Sequence, residues 1–125
     1  MKEYGAKLDL EKSQKPKLLK KAIQVAKSGD HTKKHLLGAV AIRKDGCIVS
    51  STNAKVITPV PRMHAEIRAL NKAGFGSTLY VAKVLKNGDI ATAKPCKNCM
   101  VKIKNKGVKR VYYTISNNEY GVIVL

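Results

Sequence analysis

One imidazole, one carboxylate and two thiols stand in this chain at spacings that suit metal chemistry. His64-Ala65-Glu66 is followed, 29 residues beyond the glutamate, by Pro95-Cys96-Lys97-Asn98-Cys99. A structural zinc ion is normally closed off by four protein ligands, whereas a catalytic one takes three and keeps the fourth position for water. His64, Cys96 and Cys99 supply three, and Glu66 is close enough to His64 in the chain to move protons for that water. Cys96 and Cys99, three apart, share one face of a helix and can both reach a single ion. His64 and Glu66 would diverge by about 200° on a regular helix. A helix start is less strict, and Glu66 has to reach only the water. Both halves fall at expected helix starts, where unpaired N–H groups and the helix dipole favour thiolate and other anions. Pro95 stops the preceding segment and sets the turn into the second of these helices.

The elements that must position these groups follow from periodicity and turn chemistry. Residues 1–12 mix charge with few apolar side chains and are expected to be a loose basic arm on a single domain spanning 1–125. Ser13 to Ser28 reads as a helix, with Pro16 in its first turn and an apolar stripe through Leu18, Leu19, Ala22, Ile23, Val25 and Ala26. Leu36 to Arg43 and Cys47 to Ser51 read as a hairpin about Lys44-Asp45-Gly46. Val56 to Pro61, with two prolines, is a loop. His64 to Ala73 is an expected helix closed by Gly74, and Ser77 to Leu85 a strand ended by Asn87-Gly88-Asp89. Cys96 to Asn105 is a helix capped by Gly107. The strand Val108 to Thr114 follows, then a turn at Ser116 to Glu119, and a last short strand Gly121 to Leu125. The link before Gly121 is too short for a crossover helix, so the last strand should run antiparallel to its predecessor.

The H-x-E…P-C-x-x-C pairing resembles the signature of the zinc-dependent cytidine deaminase-like superfamily, and the order α-ββ-α-β-α-β-β matches its layout from about Leu36 to the C-terminus. The fold class this implies is α/β, a three-layer α/β/α arrangement with a five-stranded mixed sheet and helices on both faces. The implied reaction is hydrolytic deamination with one catalytic zinc ion, which lowers the pKa of a water to about 7. Water adds to C4 of cytosine (C6 for adenine), Glu66 passes protons to the ring nitrogen and the leaving amine, and ammonia departs. The resemblance also implies that the Ala65 backbone holds the base edge and that Asn53 contacts the sugar. Taken alone, C-x-x-C is more often a structural zinc or redox unit, and His-x-Glu occurs by chance. Their joint spacing points to the catalytic site. An antiparallel last strand resembles the free-nucleoside and some toxin-type deaminases. It differs from the branch with parallel last strands that holds the tRNA adenosine and polynucleotide cytidine deaminases.

Composition bounds what else the chain can be. Lysine and arginine total 25 against 8 acids, for a net charge of +17. Residues 1–35 hold ten basic and four acidic side chains, and residues 83–110 nine and one. Such a field attracts polyanions. Nearly all of it is lysine, which a generic solubility strategy also explains. Lys94, Lys97, Lys102, Lys104 and Lys106 crowd the second zinc helix, and Lys94 and Lys97 are expected to meet a phosphate-bearing substrate. No stretch approaches the ~20 apolar residues of a membrane helix, and no signal-peptide core opens the chain, so a cytosolic location is expected. Three cysteines, two of them in C-x-x-C, argue against a disulfide framework. Cys47 is expected to be a buried hydrophobe in its strand. His31 and His35 are expected at the surface or against substrate. Of Tyr112 and Tyr113, on opposite faces of a strand, one should pack inside while the other is available to stack on a base.

Charge makes cytosine in single-stranded DNA or RNA the leading substrate expectation. The alternative is a free cytidine, deoxycytidine or nucleotide, supported by the short chain, the antiparallel last strand and the Ala93-Lys94-Pro95-Cys96 segment. A stable homo-oligomer would favour that second reading. Adenosine in tRNA ranks third, because Lys94 precedes Pro95 and Asn98 precedes Cys99 where that group carries Glu-Pro-Cys-x-Met-Cys. A non-enzymatic zinc module that binds nucleic acid is the remaining class, and it would have no use for Glu66.

Overall fold

A computed structural model of the chain describes residues 2–7, 17–28, 35–52, 69–70, 72–95, 97–117 and 119–125. Its strands are β1 (Lys2–Lys7), β2 (His35–Ile42), β3 (Ile48–Thr52), β4 (Thr78–Leu85), β5 (Ile90–Ala91), β6 (Arg110–Ser116) and β7 (Glu119–Val124). The helices are α1 (Lys17–Lys27) and α2 (Lys97–Asn105), and residues 69–70 and 72–73 are also helical. The strands make one sheet in the order β1-β7-β6-β4-β2-β3, with β5 beside β4. β4 and β6 run parallel, with Tyr80 opposite Tyr112. The other pairs are antiparallel, including β7 on β6 with Val122 opposite Tyr112, as the short link required. No described helix is long and apolar enough to cross a membrane.

The mixed sheet expected from the sequence is present in β2, β3, β4, β6 and β7, with two additions. The arm expected over residues 1–12 is, over Lys2–Lys7, a strand paired with β7 from Lys2↔Val124 to Lys7↔Glu119. An edge strand is held by its backbone ladder, so its side chains need no apolar alternation to announce it. The second addition, β5, is the return arm of a hairpin after β4. Leu85 N–H donates to Asp89 O at 2.8 Å and Gly88 N–H to Leu85 O at 2.9 Å. Two residues are too short to show a period.

Helices cover both faces, and side-chain alternation along the strands explains how. In α1 the fully or nearly buried Leu19, Ala22, Ile23 and Ala26 fall at i, i+3, i+4 and i+7, the stripe that faces a core. They meet Leu36 and Val40 of β2 and Ala82 and Val84 of β4. Gly38 lies between these β2 residues, and a Cβ there would sit 2.9 Å from the Ala26 Cα, so the helix lies directly on bare backbone. On the opposite face Ala39, Leu79, Val81, Val111 and Ile123 pack with Ala69, Leu70 and Ala73 and with Cys99 and Ile103 of α2.

Two local expectations change. Cys47 is exposed, not buried. It closes the hairpin turn opposite Arg43, whose N–H donates to Cys47 O at 2.7 Å, and β3 begins only at Ile48, itself half exposed. Tyr113 is the tyrosine that packs inside, at 4 % exposure. Tyr112, expected to be free for a base, stacks instead on Tyr80 with centroids 4.7 Å apart and planes 12° from parallel.

Candidate metal centre

The segment entering the second half of the motif is built where β6 ends. Thr114, fully buried, donates its hydroxyl to Ala91 O at 2.8 Å and accepts from Lys83 N–H at 3.2 Å. Its carbonyl accepts from Ala93 N–H at 2.8 Å. One threonine thus joins β4, β5 and the loop after β5. The buried ring of Pro95 completes the approach, and α2 starts two residues later. Sites in open α/β sheets form at the carboxyl ends of parallel strands, which is where this places the head of α2.

α2 is finished by a sequence-encoded cap. Gly107 takes φ +70°, Gly107 N–H donates to Lys104 O at 3.0 Å and Val108 N–H to Ile103 O at 3.4 Å. This is the Schellman pattern, with Ile103 and Val108 buried in the same cluster. Cys99 lies in the first turn, 5 % exposed. The first N–H groups of a helix have no intrahelical acceptor and favour a thiolate.

The helical residues that follow the first half of the motif pack on the same sheet face. The helix expected from His64 ends as read, with Gly74 N–H bonded to Leu70 O at 2.9 Å. Ala69 and Leu70, three and four residues beyond Glu66, share a buried cluster with Cys99. Lys72 Nζ donates to Ser50 O at 2.8 Å, tying that helix to β3, which ends one residue before Asn53. His64, Ala65, Glu66, Asn53 and Cys96 themselves lie outside the described residues, as do His31 and the turn residue Asn118.

The lysines do not gather at one mouth. Lys97 is exposed at the first position of α2, but Lys102 and Lys104 belong to its last turn, where cations complement the helix dipole. At ~1.5 Å per residue, Lys104 is about 10 Å along the axis from Lys97. Lys94 is exposed but paired: its Nζ donates to Glu3 Oε2 at 3.0 Å. The other oxygen of Glu3 accepts from the Tyr113 hydroxyl. Tyr113 first, and then Lys94, hold the Glu3 carboxyl below its ordinary value. Burial, reinforced by Glu3, pushes the Tyr113 phenol up to about 12. Neither Glu3 nor Thr114 had a sequence signal, since one sits in a polar edge strand and the other reads as an ordinary strand residue.

The residues fit zinc by the chemistry of their donors. Two thiolates and an imidazole are the borderline-soft set zinc takes, and the first turn of a helix, where Cys99 stands, favours a thiolate. Such a set leaves one coordination position for a water, which a closed structural site does not.

Comparison with known proteins bears on the same conclusion. The fold is similar to that of cytidine deaminase from Mycobacterium tuberculosis, at 25 % identity and a TM-score of 0.50, covering 73 % of this chain and 76 % of that one. A glutamate-to-glutamine variant of that enzyme aligns at 22 % identity and a TM-score of 0.53 over the same shares. No curated protein matches the sequence. The sequence model described as the cytidine and deoxycytidylate deaminase zinc-binding region matches residues 12–115, so the shared segment begins well before Leu36 and includes α1. With most of its length inside that match, the chain belongs to the cytidine and deoxycytidylate deaminase family of zinc proteins.

Proposed function

We propose that this protein hydrolytically deaminates the cytosine ring of a free pyrimidine nucleoside or nucleotide. The observation that carries the reading is the antiparallel pairing of β7 on β6, a topology in which the chain resembles the free-nucleoside deaminases and some toxin-type deaminases rather than the branch with parallel last strands. The similar solved structures, both named as cytidine deaminases, support it. His64, Cys96 and Cys99 are the residues that would hold zinc. When bound, the metal supplies a Lewis acid that brings the pKa of a water to about 7.

The remaining steps belong to the chain. Glu66 accepts the proton of the attacking water and delivers protons to the ring nitrogen and the departing amine. The Ala65 backbone holds the base edge and Asn53 the sugar. Lys97, exposed at the head of α2, meets a phosphate where the substrate has one. Lys94 plays that part only if a phosphate displaces Glu3. A homo-oligomer accompanies this reading.

A second substrate class is favoured by the +17 charge: cytosine in single-stranded DNA or RNA. Purified zinc-loaded protein and its Glu66→Ala variant, offered cytidine, deoxycytidine, their monophosphates and a cytosine-containing oligonucleotide, separate the two. Uracil formed mainly in the monomers, with little response to salt, supports the first reading. Uracil formed mainly in the oligonucleotide, with a steep fall in added salt, replaces it with the second. Turnover by Glu66→Ala equal to that of the parent removes the catalytic assignment altogether.

A further inference from the structure

We propose that Glu3 is a positioning residue for the metal centre, carried in on β1 to fasten the loop that runs into Cys96. The inference rests on the metal-centre reading and adds to it a part of the chain the zinc motif does not contain. Both oxygens of the Glu3 carboxylate are engaged, by groups from two different elements. Tyr113 comes from the core: it is 4 % exposed, and its ring crosses the neighbouring strand at Gly121, where a Cβ would lie 2.5 Å from the phenol oxygen. This rigid group fixes the carboxylate, and the carboxylate fixes Lys94 Nζ at 3.0 Å. Lys94 stands between Ala93, whose N–H is bonded to Thr114 O, and the buried Pro95. The loop is therefore gripped from the sheet side by Thr114 and from the strand edge by Glu3, two residues ahead of a zinc ligand.

Zinc sites tolerate errors of only about 0.2 Å in ligand distance. Groups that orient a ligand directly are worth about 10–100-fold in metal affinity. A tie one step further back, acting through a half-exposed ion pair, is worth less, about three- to five-fold.

Glu3→Gln tests this, because the amide still offers Tyr113 an acceptor but has no charge for Lys94. Zinc affinity of the full chain, measured by competition with a chromogenic chelator, should weaken about three- to five-fold, and equally in Lys94→Met. The double variant should be no weaker than either single one, and Lys94→Arg should recover most of the loss. In the metal-free protein, Glu3→Gln should speed hydrogen exchange at the Ala93 amide and leave the Gly74 amide unchanged. Additive losses, unchanged zinc affinity, or equal acceleration at both amides would overturn the proposal. A parent protein that binds no zinc, or binds it undiminished after Cys99→Ser, refutes the metal-centre reading itself and the proposal with it.

Discussion

Gly38→Ala should be among the most damaging single-methyl additions available in this fold. The added carbon would lie 2.9 Å from the Ala26 Cα and nearer still to the Ala22 carbonyl and the Ala26 amide, all of them backbone atoms that no rotamer change can move. Carbon atoms in contact prefer 3.5–4.0 Å, so α1 must retreat by about 1 Å. A gap of that size forfeits roughly a quarter to a half of each dispersion well along the interface. The loss falls on Leu19, Ala22, Ile23 and Ala26, none more than 4 % exposed. We expect a destabilisation of about 3 kcal/mol, the upper part of the range for overpacked cores. Urea unfolding should show a lower midpoint at an unchanged slope, with faster exchange of the α1 amides. Gly46→Ala is the control, since its φ is +93° and the space around it is open, leaving only backbone strain of about 1–2 kcal/mol. Cys99 packs on the opposite face of the sheet, so folded Gly38→Ala should keep its zinc. A Gly38→Ala midpoint within about 0.5 kcal/mol of the parent, the scatter of a neutral surface substitution, would refute the close approach of α1 to β2.

Four further outcomes are expected. Thr114→Val strips an acceptor from Lys83 N–H and a donor from Ala91 O, and should cost about 2–4 kcal/mol in urea unfolding, with weakened zinc retention because the loop to Cys96 loses its inner grip. Tyr113 should be the late tyrosinate in a spectroscopic titration, near 12, and Tyr113→Phe should delete that step. Because folding raises this value from 10.0, the stability it contributes is fully present below pH 10 and disappears as pH climbs to about 12. Glu3 behaves oppositely: its folded value is lowered from 4.5, so its contribution is present above that pH and is lost as acid carries the solution through the lowered value, a loss that Glu3→Gln should not show. Chelation of the metal should abolish deamination, and restored zinc should return it to the parent but not to Cys99→Ser.

How much of this could be read in advance depended on whether a feature was local. Asp45-Gly46 gave its hairpin, Gly107 its helix cap and Gly74 its helix end, because each is decided by a few neighbouring residues. The short link at Asn117 was enough to make β7 antiparallel to β6. The family was legible for the same reason, since its zinc motif is a matter of residue type and spacing. What stayed hidden was contact between distant segments. Lys2–Lys7 has no apolar rhythm, and only β7 makes it a strand. Lys94 looked like a free phosphate ligand until Glu3 arrived beside it. Tyr112 looked available until Tyr80, in register on the parallel strand, covered it. Cys47 was misread through a boundary shift of one residue, since β3 starts just after it.

The pairing of β1 with β7 also orders events in time. Glu3 lies 110 residues from Tyr113 and 91 from Lys94, and Lys2 pairs with Val124. During synthesis β1 emerges more than 100 residues ahead of β7 and has to wait for it as a partner. Closing so long a loop costs entropy before any contact repays it, which makes this edge a slow and late step in folding. Until it closes, β7 offers an unpaired backbone edge to other chains. A nascent or heat-stressed population should therefore associate through β7, and a β1 peptide added in excess should suppress that association by occupying the edge first.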